Sequence, residues 1–353
     1  MNKTNSTRRR IKTAIAGFGL SGRVFHAPFV NTNSKFQLHS IVTSGDEAKK
    51  NYPDVKIVRN FKSIIENPAI GLVVICTPHH LHTEQACMAL ERGKHVVIEK
   101  PVAMTSGEIE QIIATSEKYG KMVFPYHNRR WDGDLMTIRH LIKEGYLGEV
   151  LDFESHFDRY SPEVLRAEWR YNNPDGGGTL FDLGPHLIDQ AIALFGKPQS
   201  VWCLLHNQRE GSKVNDSFDL KLIYPKLTAT LRASVFVKET GPRFQVHGTL
   251  GSFNKYGLDT QEAALKAGKM PGSKNFGVDL AKNYGILNSV ANDKSLRLKY
   301  ATMPGFYMGF YEDVYAAING QKSPEVTAED ALLNLQIIEA AFRSYVERRI
   351  IDI

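Results

Sequence analysis

Long apolar runs, cysteines and internal repeats are rare or missing in this sequence. No apolar run in its 353 residues approaches the length of about 18 residues that a membrane-spanning helix needs. The three cysteines, Cys76, Cys87 and Cys203, have no metal-like spacing, and we interpret them as reduced thiols of a cytoplasmic protein. These absences argue against a membrane span and a disulfide scaffold. They favour a globular chain of about two domains.

Positive charge is in excess mainly near the N-terminus. The net charge is +6, and Lys3, Arg8, Arg9 and Arg10 supply four of those charges. We therefore predict a disordered basic tail over residues 1–10 and no nucleic-acid surface. The segment STRRRIK resembles a twin-arginine export signal, but no clear small-residue cleavage site follows it. We favour a first strand and a glycine turn for the residues that come next.

Residues 11–128 alternate between strand-like and helix-like segments. The strand-like apolar runs are IKTAIA, FQLHSIV, VKIV, IGLVVICT, HVVIE and KMVFPY. The helix-like segments include LHTEQACMALERGK and TSGEIEQIIATSEKYG, where Thr105 and Glu108 have capping-box spacing and Gly120 closes the helix. This alternation predicts βαβ units that form a parallel sheet.

The pattern changes over residues 129–353. Helices are predicted from DLMTIRHLIKEG and HLIDQAIALFG, and two more close the chain at about 307–319 and 328–348. Strands follow one another without helices in GEVLDFESHF, SVWCLLHN, SFDLKLIY, LTATLRASVFV and FQVHGTLGSF. They predict an open, mostly antiparallel sheet in an α+β domain. We expect the Gly-, Lys- and Ala-rich stretch from Asp259 to Asn292 to be a long surface excursion.

The segment IAGFGLSGR has the Gly17-x-Gly19-x-x-Gly22 pattern after the first strand. In this context the pattern predicts a dinucleotide site of the Rossmann type. Gly17 would make the tight turn, Gly19 would let the backbone approach a pyrophosphate, and Gly22 would let helix and strand pack closely. Leu20 lies within the same turn, and we count it among the cofactor-binding residues. The alternative is a flexible loop between a strand and a helix.

Two later strands end in residues of chemical interest. Ligands bind at the carboxyl ends of parallel strands, so Thr77 and Pro78 should line the cofactor and Lys100 should project into the same cleft. We count Glu99 and Lys100 among the cofactor-binding residues. We also expect Glu99 to pair with a basic group or cap the backbone, and Pro101 to follow a cis peptide bond. The alternative for Lys100 is a solvated lysine at a strand end.

The segment HHLH contains His79, His80 and His82. Zinc sites usually add a further Cys or His pair at defined spacing, which the sequence lacks, so we predict no metal site. The stretch begins a helix beside the presumed cofactor, and we count His82 among the cofactor-binding residues.

The segment DGGGTLFDLGPHLIDQ places Asp182 and His186 four residues apart. We predict a helix with Asp182 as its N-cap and Pro185 in its first turn, so that both side chains share a face. One interpretation makes Asp182 only a cap and His186 a surface residue. The other aims a carboxylate and an imidazole at one substrate, where the imidazole exchanges a hydroxyl proton.

Together, these motifs resemble the Gfo/Idh/MocA family of oxidoreductases over nearly the whole chain from Ile11. The most specific are EKP at Glu99–Pro101 and GGGTLFDLGPHLIDQ at Gly176–Gln190. The resemblance implies that Lys100, Asp182 and His186 are the catalytic residues.

A narrower likeness, to NADP-dependent scyllo-inositol dehydrogenases, depends on GLSGRVFHAP, YHNRRWD, RYSPEVLRAEWR and FQVHGTLGSFNKYGLDTQEAALKAG. It implies a small polyol or sugar substrate and a homodimer or homotetramer formed through the C-terminal sheet. The substrate-binding candidates beside the catalytic residues are Tyr126, Asn128, Arg129, Tyr160 and Trp169. The pair Arg129-Arg130 could equally form a domain hinge held by cation–π packing.

The second strand ends in Thr43 and Ser44, without the acidic residue that usually selects NAD. Ser44 could bind a 2′-phosphate, and Lys49 and Lys50 could add charge. We therefore expect NADP(H), with NAD(H) as the alternative. The related dehydrogenases tend to carry an arginine just after this serine, where this chain has Gly45, and Asp46 could turn inward and favour NAD.

The expected reaction interconverts a secondary alcohol of a cyclic polyol or sugar and its ketone. His186 would take the hydroxyl proton, Lys100 would stabilise the alkoxide, and Asp182 would orient the imidazole or bind a neighbouring hydroxyl. The sequence leaves open whether Lys100 or His186 is the proton acceptor. Two other functions stay open, a non-catalytic dinucleotide sensor and an NAD-dependent glycoside hydrolase.

Overall fold

The structure is a computed structural model that describes residues 10–163, 176–291 and 294–353. Their packing forms two compact units. The first contains the described part of the chain up to Tyr126 together with Glu262–Phe276 and Tyr307–Glu329. The second contains the described parts of His127–Gln261, Gly277–Phe306 and Asp330–Ile353. The domain boundary after residue 128 stays a prediction, and of the tail only Arg10 is described; its Nε donates to Phe36 O at 2.7 Å.

The first unit is built on a six-stranded parallel sheet, as predicted. Its strands are β1 Ile11–Ala16, β2 Phe36–Val42, β3 Lys56–Val58, β4 Leu72–Ile75, β5 His95–Ile98 and β6 Val123–Pro125. They lie in the order β3-β2-β1-β4-β5-β6. Every residue of β4 is buried, as expected for a central parallel strand with both faces covered.

Helices connect these strands. They are the π-helical turn Ser21–His26, α1 Ala27–Thr32, α2 Glu47–Asn51, α3 Lys62–Ile65, the 3₁₀ turn His79–Leu81, α4 His82–Glu91 and α5 Ser106–Tyr119. The predicted start of α5 is confirmed: Thr105 and Glu108 form a reciprocal capping box, and Gly120 ends the helix in the left-handed conformation.

The second unit contains a nine-stranded sheet. Its strands are β7 Val150–His156, β8 Ser200–His206, β9 Ser217–Ile223, β10 Thr228–Ala233, β11 Phe244–Gly248, β12 Gly251–Lys255, β13 Gly285–Ala291, β14 Lys294–Tyr300 and β15 Ile351–Asp352. Their order is β14-β13-β12-β11-β7-β10-β9-β8-β15. Neighbours pair antiparallel except β7 and β10, which confirms the mostly antiparallel sheet.

The remaining helical elements are a 3₁₀ turn at Asn128–Trp131, α6 Gly133–Lys143, α7 Thr179–Phe195, α8 Gln261–Lys266, a 3₁₀ turn at Ala281–Asn283, α9 Met308–Ile318 and α10 Ala328–Glu347. Burial alternates along β9, where Phe218, Leu220 and Leu222 are buried while Asp219 and Lys221 are half-buried. The sheet therefore has one packed face and one that is more exposed.

The expectation of a surface excursion from Asp259 to Asn292 is wrong for much of that stretch. It contains α8 and the strand β13, which pairs with β12 on one side and β14 on the other. Leu287 of β13 is fully buried. In β13 the adjacent polar residues Asn288 and Ser289 interrupt the apolar pattern, and the alternating strand β14 was not recognised in the sequence.

Candidate active site

The glycine turn after β1 has the conformation that a dinucleotide site requires. Gly17 has a φ of +98°, in the left-handed region, and an added Cβ would lie 2.6 Å from Cys76 O. A Cβ on Gly22 would lie 2.2 Å from Gly17 O, so the helical turn packs directly on the loop. Gly19 faces open space, with no atom within 4 Å of an added Cβ. This opening fits a pyrophosphate lying against the backbone.

Main-chain hydrogen bonds join this turn to the neighbouring strand ends. Gly17 N donates to Val42 O at 3.0 Å, at the end of β2. On the other side, Cys76 N donates to Ala16 O at 2.8 Å, and Glu99 N donates to Ile75 O at 3.1 Å. Gly17, Thr77, Glu99 and Lys100 therefore lie along one edge of the first sheet, as predicted. Leu20, in the turn, has 49% of its surface exposed.

Thr77 and His82 connect two of these strand ends. The Thr77 hydroxyl donates to Gln85 Oε1 at 2.8 Å. His82 is fully buried, with Nε2 at 2.9 Å from Thr77 O and Nδ1 at 3.0 Å from Pro101 O. Burial lowers the pKa of His82, against the raising effect of those carbonyls. His82 thus binds backbone on both sides and holds Thr77 and Pro101 beside each other, so the structure favours a positioning role for His82 over direct contact with the cofactor.

Glu99 is the centre of a hydrogen-bond network. One carboxylate oxygen accepts hydrogen bonds from the Ser21 hydroxyl and from His26 Nε2, the latter at 3.1 Å, and the other accepts from Lys100 N at 3.0 Å. Burial raises the pKa of Glu99, but His26, Ser21 and the charge of Lys100 outweigh it and lower the value to about 2. Both expected roles of Glu99, pairing and backbone capping, are confirmed.

His26 and Tyr311 extend the network and were missed in the sequence. His26 Nδ1 lies 2.7 Å from the Tyr311 hydroxyl, and both side chains are fully buried. Burial raises the pKa of Tyr311 well above its ordinary value, so its hydroxyl is protonated. In the tautomer that donates Nε2–H to Glu99, Nδ1 accepts a hydrogen bond from the Tyr311 hydroxyl. His26 lies in the GRVFHAP motif, but its partner is 285 residues away.

Lys100 follows β5 directly and is half-buried. Its peptide bond to Pro101 is cis, as predicted. On the far side of β5, Tyr126 N donates to Ile98 O at 2.8 Å. The Tyr126 hydroxyl donates to Phe25 O at 2.7 Å, and its ring lies 4.0 Å from that of His26. Tyr126 thus packs beside the network, and its substrate role stays a prediction.

The prediction that Asp182 caps a helix is wrong. Helix α7 begins at Thr179, so Asp182 lies inside its first turn and Pro185 comes later. Asn215 replaces the cap: its backbone oxygen accepts from Thr179 N at 2.8 Å and its Oδ1 accepts from Leu180 N at 2.9 Å. A side chain at Gly178 would collide with Asn215, since an added Cβ would lie 2.6 Å from its Nδ2.

Asp182 and His186 do share one face of α7, four residues apart. Asp182 is half-buried, and His186 is buried, which excludes the interpretation of His186 as a surface residue. The His186 ring lies 6.5 Å from the Phe157 ring, and the guanidinium of Arg129 lies 5.1 Å from the same ring. The structure thus brings the predicted residues Arg129 and His186 to one aromatic side chain.

Arg243 lies in the same cluster and was missed in the sequence. Its guanidinium lies 4.0 Å from the Phe157 ring and donates to Ser155 Oγ at 2.5 Å and to Gln190 Oε1 at 3.0 Å. Burial lowers the pKa of Arg243 to about 10. The signal in the sequence was a lone arginine before a strand, which has no specific meaning by itself.

The two arginines of YHNRRWD have different partners. Arg129 pairs with Asp132 at 3.4 Å, whereas Arg130 is buried and makes ion pairs with Asp189 at 2.7 Å and Asp330 at 2.9 Å. Arg130 is therefore a structural ion-pair residue, and Arg129 has a cation–π contact with Phe157. Asn128, beside them, is buried.

Of the remaining substrate candidates, one lies elsewhere in the second unit and one lies outside the described residues. Tyr160 has 53% of its surface exposed and lies 5.4 Å from Lys238 Nζ. Trp169 and most of RYSPEVLRAEWR fall outside the described residues. Within the described ranges, no helix is long and apolar enough to cross a membrane, and no group of three or more His, Cys, Asp or Glu side chains is arranged to hold a metal ion.

Comparisons with known proteins give matches over nearly the whole chain. A family model described as an oxidoreductase family with an NAD-binding Rossmann fold matches residues 11–127, and its C-terminal alpha/beta domain partner matches residues 139–353. The scyllo-inositol 2-dehydrogenase (NADP(+)) IolW of Bacillus subtilis strain 168 is 40% identical over 97% of this chain and 95% of its own.

Solved structures agree with these matches. A structure from Bacteroides fragilis NCTC 9343 is 43% identical, with a TM-score of 0.91 over 98% of this chain and 100% of its own. The structure of Bacillus subtilis YvaA is 39% identical, with a TM-score of 0.94 over 98% of this chain and 99% of its own.

Proposed function

Because the chain belongs to the Gfo/Idh/MocA family of oxidoreductases, we propose that it interconverts a secondary alcohol of a cyclic polyol or sugar and its ketone. Membership of this family makes the chain an NAD(P)-dependent dehydrogenase. The class of its substrate is our proposal. The observation that carries the proposal is the position of Lys100. It ends a strand on the same sheet edge as the glycine turn, with its backbone held by the ionised Glu99.

The glycine turn and the strand-end loops would hold the cofactor. Gly17, Gly19 and Gly22 fit a pyrophosphate, and Thr77 with Pro78 would line the nicotinamide end. When bound, the nicotinamide supplies a hydride acceptor or donor at its C4. Ser21 binds Glu99, so the nucleotide turn and the proposed catalytic lysine share one hydrogen-bond network.

The proposed acid–base chemistry depends on three side chains. In the oxidation direction, the hydroxyl proton passes to the His186 imidazole, while the Lys100 ammonium stabilises the negative charge that develops on the oxygen. Asp182, one helical turn before His186, orients the imidazole or binds a neighbouring hydroxyl. The hydrogen on the carbinol carbon leaves with its electron pair, so the products are a ketone, a proton and a reduced cofactor.

The substrate class is supported by the cluster around Phe157. Arg129 provides hydrogen-bond donors beside His186, and its contact with Phe157 orients its guanidinium. A polyol with several hydroxyls suits such donors, and the relative IolW is named for a cyclic polyol. Tyr126, Asn128, Tyr160 and Trp169 stay proposed substrate residues.

We further propose NADP(H) as the preferred cofactor, with NAD(H) as the alternative. No acidic residue directly follows β2, and Thr43 and Ser44 occupy that place. We also propose a cytoplasmic location and a homodimer or homotetramer formed through the C-terminal sheet. The three cysteines are free thiols, which suits a reducing compartment.

A polyol and sugar panel tests the proposed function. Each compound would be incubated with NADP⁺ and with NAD⁺, and the absorbance of the reduced nicotinamide would be followed. We expect cyclic polyols, inositols above all, to be oxidised. Release of a free sugar from glycosides without net cofactor reduction would instead indicate a hydrolase, and tight dinucleotide binding without any turnover would indicate a sensor.

A further inference from the structure

The end of β2 is built together with the end of β3. Thr43 N donates to Val58 O at 3.1 Å, which places residue 59 directly beside the residues that follow β2. Gly17 N also donates to Val42 O at 3.0 Å, so the glycine turn adjoins the same strand end. In a dinucleotide-binding sheet this is where the adenosine ribose lies, and where an acidic residue or an arginine distinguishes its 2′-hydroxyl from a 2′-phosphate.

Arg59 brings a guanidinium to this place. Its Nη1 donates to Thr43 O at 2.9 Å, which ties the side chain to the loop after β2. Its Nη2 lies 3.5 Å from Asp46 Oδ1. The Arg59 side chain is 59% exposed, so the anchored guanidinium still faces solvent beside the loop that contains Ser44. A charge that the sequence lacks directly after Ser44 is therefore supplied from the next strand.

Two other basic groups nearby, Arg23 and Lys49, have partners of their own. Arg23 pairs with Glu47 at 2.7 Å. The Lys49 ammonium donates to Pro53 O, which differs from the expectation that it would add charge at the end of β2. Asp46 is the remaining competitor for Arg59. Its pair with Arg59 is loose, and the Asp46 side chain is 85% exposed, so solvent weakens the attraction.

We propose that Arg59 binds the 2′-phosphate of NADP(H), so that the loop Thr43–Asp46 and Arg59 form a phosphate-monoester subsite. This inference depends on the proposed nucleotide-binding function and names its specificity residue. A phosphate dianion offers a guanidinium a bidentate, doubly charged partner, which is stronger than an exposed carboxylate at 3.5 Å. The phosphate displaces Asp46, while the bond to Thr43 O keeps the side chain in place.

The test measures binding without turnover. Isothermal titration calorimetry at constant ionic strength would compare adenosine 2′,5′-bisphosphate with adenosine 5′-monophosphate, which differ only by the 2′-phosphate. The proteins are the full chain, Arg59→Met, Arg59→Lys and the control Lys62→Met. Lys62 is an exposed lysine three residues further on that pairs with Glu66, so its variant removes the same charge outside the subsite.

We expect the parent to prefer the bisphosphate, and Arg59→Met to reduce that preference by about tenfold to a hundredfold. The affinity for the monophosphate should stay unchanged, Arg59→Lys should keep part of the preference, and Lys62→Met should keep all of it. A parent without preference, or an Arg59→Met variant that retains it, overturns the subsite. In that case the proposed oxidation of polyols, measured with NAD⁺, would be unaffected. If the subsite is present but no polyol is oxidised, the proposed reaction fails and only the nucleotide specificity remains.

Discussion

Lys100 and His186 are held by different kinds of contact. The backbone of Lys100 is fixed by an ionised carboxylate, Glu99, which also binds Ser21 and His26. His186 is part of α7, buried beside the Phe157 ring, on a helix whose first N–H groups are bound by Asn215. The position of Lys100 therefore depends on the charge of Glu99. The position of His186 depends on packing and on the start of helix α7.

This difference indicates which changes each region tolerates. Acid or loss of the Glu99 charge should disturb the surroundings of Lys100 and leave α7 intact. Loss of the Asn215 side chain should disturb the first turn of α7 and leave Lys100 intact. Both regions are proposed to serve one reaction, so either change should lower activity. The loss of stability should depend on pH for the Glu99 change and should be confined to the start of α7 for the Asn215 change.

Lys100→Met should have the largest effect. The variant keeps the apolar stem and loses the cation that stabilises the developing alkoxide, and we expect kcat to fall about a hundredfold or more. Cofactor affinity, measured by fluorescence titration, should stay near that of the parent. The control is Lys118→Met on the exposed surface of α5, which should retain full turnover. Normal kcat in Lys100→Met would remove the lysine from the mechanism.

His186→Asn should come next, with a loss of about a hundredfold. In the parent, the oxidation rate should rise with pH as the imidazole loses its proton and becomes able to accept one from the substrate. The asparagine cannot titrate, so the rise should flatten. The measurement is kcat/KM for oxidation across the range where the parent rises. An unchanged profile with normal turnover would assign the proton acceptor to Lys100 or to water.

Glu99→Gln should lower stability in a pH-dependent way. The pKa of Glu99 lies at about 2 in the folded protein, below its ordinary value of 4.5. The carboxylate therefore stabilises the fold fully above about pH 4.5, by about 3 kcal/mol, and this contribution disappears as the pH falls towards 2. Urea unfolding at several pH values would show parent and variant converging in acid. A constant difference between them would contradict the assigned charge.

Asn215→Ala should have the smallest effect, about 1 kcal/mol of unfolding free energy. It removes the acceptor for Leu180 N and keeps the backbone acceptor for Thr179 N. Hydrogen exchange should increase in the first turn of α7, around Asp182. Thr105→Ala is the matched control, because it removes a cap from α5 in the other unit. Equal exchange in α7 for parent and Asn215→Ala would contradict the proposed capping.

These two helix starts also show how far the sequence can be interpreted. The capping box of α5 lies within four consecutive residues, so spacing alone predicts it. The start of α7 depends on Asn215, 35 residues after Leu180, and local spacing wrongly favoured Asp182. The shared edge of the strand ends, and the position of Lys100 on it, were predictable because parallel strands place their carboxyl ends at one edge of the sheet. The partners His26–Tyr311 and Arg59–Thr43 were not, because the fold alone brings them together.

The central claim is that Lys100 and His186 act on the same reacting hydroxyl, and the double variant Lys100→Met/His186→Asn tests it most directly. Residues that act as a unit lose little more together than the worse of the two does alone. We therefore expect kcat/KM for polyol oxidation in the double variant to lie close to that of Lys100→Met. If the two losses in kcat/KM multiply in full, Lys100 and His186 act independently. That result would contradict the claim that both act on the same reacting hydroxyl.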